Sequence, residues 1–134
     1  TVGLRKQNEE IIKWLQTNFP EPWVKNSRGF RIKNGLFLEW GEVFQWPGLE
    51  EKILSESGFC YGLRTQIGIL SDGTVIPCCL DHEGDLALGN VLEEPLKNIL
   101  QSPRAQKIYA GFSQRKRVEP LCQRCGFAQR FAAR

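Results

Sequence analysis

Four of the chain's five cysteines stand in a pattern suited to holding a metal ion or an iron-sulfur cluster: Cys60, then Cys78 behind Asp72-Gly73, then Cys122-Gln123-Arg124-Cys125. Thiolates are soft ligands that suit zinc and iron-sulfur clusters, and both kinds of centre are commonly held by four of them. A C-x-x-C pair supplies two sulfurs from one tight turn, so only Cys60 and Cys78 must be brought in by tertiary folding. Cys79 is left over. Neighbouring side chains leave an extended strand on opposite faces, so Cys79 points away from Cys78 and the two cannot bridge without strain. An odd cysteine count and the lack of a signal-peptide pattern argue against a disulfide framework and for a reducing, cytoplasmic compartment.

The elements that position these thiols are readable from local pattern. Gln66 to Leu70 and Thr74 to Ile76 are apolar-rich segments on either side of Ser71-Asp72-Gly73, and Asp-Gly is among the strongest short-range hairpin signals. Cys78 therefore lies at the exit of a hairpin. Beyond the short apolar stretch Leu86 to Val91, Pro95 opens a helix carrying Leu96, Ile99 and Leu100. Ser102-Pro103 ends it and caps a second helix with apolar Ile108, Tyr109 and Phe112. Upstream, Ile11, Ile12, Leu15 and Phe19 have helical spacing over Asn8 to Phe19, with Pro20 as the stop. Phe30 to Val43 suggests one or two strands bent at Gly35 and Gly41, and the four tryptophans of this first third are expected in a core or a domain interface.

At 134 residues the chain can bury a core of its own, and it has no apolar run long enough to span a bilayer. It contains no methionine, so it reads as a segment cut from a longer polypeptide or trimmed after expression. The net charge of +3 conceals an uneven distribution: Arg104, Lys107, Arg115, Lys116, Arg117, Arg124, Arg130 and Arg134 face Glu119 alone after residue 103. The expected reading is a solvated face or a contact to an acidic partner domain. Nucleic-acid binding is disfavoured, because no recognised module accompanies the charge. Arg124, inside the C-x-x-C turn, is a candidate for raising the potential of an anionic cluster. His82, the sole histidine, is expected in solvent rather than as a ligand, and Asp81 and Glu83 as turn residues.

Taken together, Cys60, Ser71-Asp72-Gly73-Thr74-Val75-Ile76-Pro77-Cys78-Cys79-Leu80-Asp81, Leu88-Gly89-Asn90-Val91 and Cys122-Gln123-Arg124-Cys125 resemble the SPASM and twitch domains, the C-terminal auxiliary-cluster regions of radical S-adenosylmethionine (SAM) enzymes. A full SPASM domain has a seven-cysteine framework for two auxiliary [4Fe-4S] clusters. Five cysteines, with none after Cys125, leave room for one cluster, as in the twitch variant or a single-cluster SPASM-like domain, with Cys60, Cys78, Cys122 and Cys125 at the ligand positions.

The resemblance implies an α+β fold in which a small hairpin and helices surround the cluster site across residues 58–134. Residues 1–57 would be the end of a catalytic barrel and its connection. SAM and a second cluster would belong to the upstream barrel, since the C-x-x-x-C-x-x-C motif is absent and this segment alone should not cleave SAM. The implied partners are that barrel and a peptide or small-molecule substrate. An unpaired strand edge in the first part would also favour a dimer of the fragment. The competing class is a zinc-stabilised module that binds protein or nucleic acid. Zinc ribbons usually pair two C-x-x-C knuckles, whereas 17 residues separate Cys60 from Cys78.

Overall fold

The computed structural model describes residues 2–41 and 43–131 and shows the expected α+β class, with two small antiparallel sheets and several helices. The chain forms two compact units, Thr1–Val43 and Phe44–Arg134.

In the first unit, helix α1 (Val2–Asn18) covers the expected helical segment except Phe19 and ends just before Pro20, which cannot continue it. Its apolar spacing is only partly used. Ile12, Leu15 and Phe19 are half-buried, while Ile11 is 54% exposed and Trp14 60% exposed. Strands β1 (Val24–Lys25), β2 (Gly29–Lys33) and β3 (Leu36–Glu39) follow in an antiparallel sheet of that order. Gly35, at φ +77°, makes the β2–β3 turn, where a side chain would be strained. Gly41 bends no strand, since β3 ends before it. The tryptophans do not form a core: Trp14 and Trp40 are exposed, as is Trp46 in the second unit. Trp23 alone is half-buried, its ring tilted against Phe30 and its indole N–H donated to the Phe19 carbonyl at 3.0 Å.

The second unit is built on strands β4 (Gly68–Ile69), β5 (Thr74–Ile76) and β6 (Gly89–Asn90). Gly73 adopts φ +87° in the β4–β5 turn, and the Asp72 carboxylate accepts from the Thr74 amide at 3.0 Å. That bond holds the Asp72 carboxyl below its ordinary pKa. The unforeseen strand β6 explains Leu-Gly-Asn-Val: the Asn90 amide donates to the Asp72 carbonyl at 2.9 Å, and the Val91 N–H to the Gly73 carbonyl at 3.0 Å. Helices α2 (Leu96–Leu100) and α3 (Pro103–Ser113) match expectation, the latter with Ser102 accepting from the Ala105 amide at 3.3 Å. Val75, Leu88, Ile99, Ala105, Ile108 and Phe112 form the core, each large side chain stabilising by about 1.5–3 kcal/mol. Tyr109 is instead 40% exposed. The chain closes with α4 (Pro120–Gln123) and a 3₁₀ turn, Phe127–Phe131. Among the described residues no helix is long and apolar enough to cross a membrane.

Candidate metal centre

Three short elements bring the four thiols together. Leaving β5, the chain runs through buried Pro77 to Cys78, and the Pro77 carbonyl accepts from the Leu63 amide at 3.2 Å. This bond draws the Cys60–Leu63 stretch alongside. A Cβ on Gly62 would stand 3.3 Å from the Pro77 carbonyl oxygen and 3.8 Å from the Cys78 Cβ, so the absence of a side chain there permits the approach. Cys60 and Cys122 both pack against the hydrophobic core. Pro120 opens α4, which carries Cys122, and the following turn delivers Cys125.

The segment before Cys60 supports that last turn. The Gln123 carbonyl accepts from the amides of Leu54 and Ser55 at 2.9 and 3.1 Å, and Gly126 N–H donates to the Gln45 carbonyl at 3.0 Å. Arg124 donates from Nε to the Glu51 carbonyl at 2.7 Å and from Nη1 to the Pro120 carbonyl at 3.0 Å. Those bonds make Arg124 a brace for the C-x-x-C turn.

Cys60, Cys78, Cys122 and Cys125 line one cavity, closed by Pro77, Leu80, Leu86, Phe112, Leu121 and Phe127. Cys79 is exposed and lies outside it. All five thiols are free of disulfides. Burial pushes the Cys78 thiol up to about 11, opposed by a hydrogen bond from the Leu80 amide. Burial raises Cys122 further, with the neighbouring cysteines adding to the effect. Cys125 is also raised by burial, against the Ala128 and Phe127 amides and the Arg117 charge. Buried neutral thiols become thiolates when a metal centre replaces their protons.

Among the described residues, no three His, Cys, Asp or Glu side chains are gathered so as to hold one ion. Amides aimed at cysteine sulfur, as at Cys78 and Cys125, stabilise thiolate charge in either kind of centre.

Several surrounding residues differ from the sequence reading. Asp81 is 1% exposed: its Oδ2 accepts from the Leu86 amide at 2.9 Å, Oδ1 has no partner, and burial raises its pKa. It shapes the loop after Cys78 from inside. His82 is exposed as expected, with Nδ1 accepting from the Trp46 indole at 3.3 Å and Nε2 3.1 Å from Glu83. The basic tail is not simply a solvated face. Arg104 grips Glu119 at 2.9 Å and the Ala87 and Asp85 carbonyls, which raises its pKa through the Glu119 hydrogen bond. Arg130 lies over the Phe44 and Phe127 rings, and Arg117 is 2% exposed. Arg134 lies outside the described residues. The burial of Arg117 had no sequence signal, because Arg115-Lys116-Arg117 reads as a surface run.

No curated protein and no solved structure matches this chain. A family model does: residues 60–126, half of the chain, match SPASM, described as an iron-sulfur cluster-binding domain. The match begins at the first cavity cysteine and ends one residue past the last, and the chain belongs to the SPASM family of iron-sulfur cluster-binding domains.

Proposed function

We propose that Cys60, Cys78, Cys122 and Cys125 hold one [4Fe-4S] cluster, and that this domain is the auxiliary-cluster part of a cytoplasmic radical SAM enzyme. The observation that carries the ligand set is the shared cavity, which four of the cysteines line and Cys79 does not. A cluster bound there supplies one-electron transfer; with four thiolates it has no open iron, so direct substrate ligation is not its role. The chain's own residues do the rest. Leu80, Leu86, Leu121 and Phe127 limit water, and the amides of Leu80, Phe127 and Ala128 stabilise thiolate charge at Cys78 and Cys125. SAM cleavage, a second cluster and the substrate, peptide or small molecule, belong in this reading to a catalytic barrel outside residues 58–134. Exposed Ile11, Trp14, Phe37 and Trp40 in the first unit favour a covering partner, which we take to be that barrel; in its absence the isolated chain would pair with a second copy.

Serine substitution of each cysteine, followed by anaerobic reconstitution and iron and sulfide assay, tests the ligand set. Loss is expected for Cys60→Ser, Cys78→Ser, Cys122→Ser and Cys125→Ser, with Cys79→Ser loading like the parent. Equal loss for Cys78→Ser and Cys79→Ser would overturn it. A brown protein with broad absorbance near ~400 nm is expected; a colourless one that releases zinc would favour the zinc-stabilised module.

A further inference from the structure

Residues 44–47 have no regular structure, yet they reach the cysteine cavity and are fastened at two places beside it. Buried Pro47 is part of the cavity wall. Next to Cys125, the Gln45 carbonyl accepts from the Gly126 amide at 3.0 Å, and a Cβ on Gly126 would stand 2.7 Å from both the nitrogen and the oxygen of Gln45. Two backbones lie that close only because Gly126 has no side chain. Phe44 adds an edge-to-face contact with Phe127, another cavity wall, at 5.1 Å between ring centres. In the loop after Cys78, the attachment is a hydrogen bond between side chains, from the Trp46 indole N–H to His82 Nδ1 at 3.3 Å, with the rings edge to face at 6.0 Å. Trp46 is 49% exposed and the His82 side chain 56%, so water competes for that bond.

Resting on the reading that the four cavity cysteines hold a metal centre, we propose that residues 44–47 are a strap that gates access to it. The strap pivots at Gln45 and opens by parting Trp46 from His82, which lifts Pro47 from the cavity and lets metal or a chelator reach the thiols. The order follows from strength. Releasing the Gly126 side breaks a backbone hydrogen bond and unpacks a half-buried phenyl ring, whereas releasing the His82 side breaks a long bond whose groups find water at once. Phe112, on another wall, belongs to the hydrophobic core and cannot move without breaking it.

The test is the rate of iron release to excess EDTA from the anaerobically reconstituted chain, in the parent, Trp46→Phe, His82→Ala and the double variant. Trp46→Phe keeps an aromatic ring and removes the N–H donor. Each single substitution should speed release about threefold at an unchanged urea midpoint, and the double variant no more than the faster single one, since both act through one bond. Loaded single variants that release iron at the parent's rate would overturn the proposal. So would effects that multiply in the double variant, or faster release accompanied by a lower midpoint. If the variants do not load, the parent decides: release through a small local opening should depend only weakly on urea below the unfolding transition, and the full slope of global unfolding would overturn the strap. A parent that binds zinc instead of iron and sulfide removes the cluster reading, and zinc release then judges the strap by the same criteria. A parent that binds neither removes both.

Discussion

Arg104 and Arg117 are chemically identical, and their surroundings differ: the first is ion-paired and partly exposed, the second buried. Arg104 meets Glu119 through two nitrogens, Nε at 3.1 Å and Nη2 at 2.9 Å, and also ties down the loop after Asp81 by bonding the Ala87 and Asp85 carbonyls. Glu119 is 9% exposed and immediately precedes α4, so its charge needs this partner. Arg104→Ala would leave a nearly buried carboxylate alone and free two carbonyls. Because Arg104 itself is 40% exposed, the loss should be below that of a fully buried pair, about 1–3 kcal/mol. Denaturant unfolding of the reconstituted protein should show a lower midpoint with unchanged slope. Glu119→Gln should cost less than Arg104→Ala, because the carbonyl bonds remain; the reverse order would mean that the carbonyl contacts contribute little.

At the scale of elements, the β4–β5 hairpin depends on β6 as much as on its own turn. A Cβ at Gly73 would come 2.5 Å from the Asn90 Oδ1 and 2.8 Å from the Leu92 side chain, in a left-handed backbone. Gly73→Ala therefore combines about 1–2 kcal/mol of conformational strain with a clash. Asn90→Ala removes its bonds to the Asp72 carbonyl and from the Leu92 amide, each worth about 1 kcal/mol. Both substitutions should speed cluster loss from the holo protein, followed by the fading of its absorbance, since Cys78 leaves this hairpin. A cluster lifetime equal to the parent's would show that the thiols are positioned without it.

This contrast also explains what the sequence made legible. The Asp-Gly turn, the Ser102-Pro103 cap and the C-x-x-C pair are local signals, in which a few adjacent residues determine the outcome. Strand β6 is two residues long and exists because Thr74 and Val75 offer it a partner, which no local window contains. The same holds for Arg117: its burial depends on Gly58, distant in sequence, and on the Glu56 carbonyl that fixes its backbone. Residues 44–57 were read with the first part of the chain, but Gln45, Leu54 and Ser55 bond to the C-x-x-C turn and the residue after it through backbone groups, and the Glu51 carbonyl accepts from the Arg124 side chain, all distant in sequence. The exposed tryptophans escaped for the opposite reason, since aromatic type alone does not say which surface covers it.

For the whole molecule, the placement of the thiols sets where order depends on the metal centre. Cys60 precedes the hairpin and Cys125 follows α4, so a cluster would close a loop of more than sixty residues around most of the second unit. Closing so long a loop removes conformational freedom chiefly from the unfolded chain, and the binding free energy of the centre becomes folding free energy. In the apo form, four thiols would instead face a cavity, which weakens the second unit. The core of Val75, Ile99, Ile108 and Phe112 still favours compaction of the hairpin with α2 and α3. The C-x-x-C tail has less to hold it, because α4 is only four residues long and its turn relies on bonds to an irregular segment. The first unit has its own sheet and none of the four ligands, so the cluster does not tie it directly. Removal of the cluster should therefore lower amide protection from about Cys60 onward, most strongly over Cys122 to Phe131, while leaving β2 and β3 nearly unchanged. Hydrogen exchange on holo and apo samples checks this residue by residue. Equal protection of the 122–131 segment in both would mean that side-chain packing and the Gln45, Leu54 and Ser55 bonds suffice, and that the centre is bound by an already folded site rather than completing the fold.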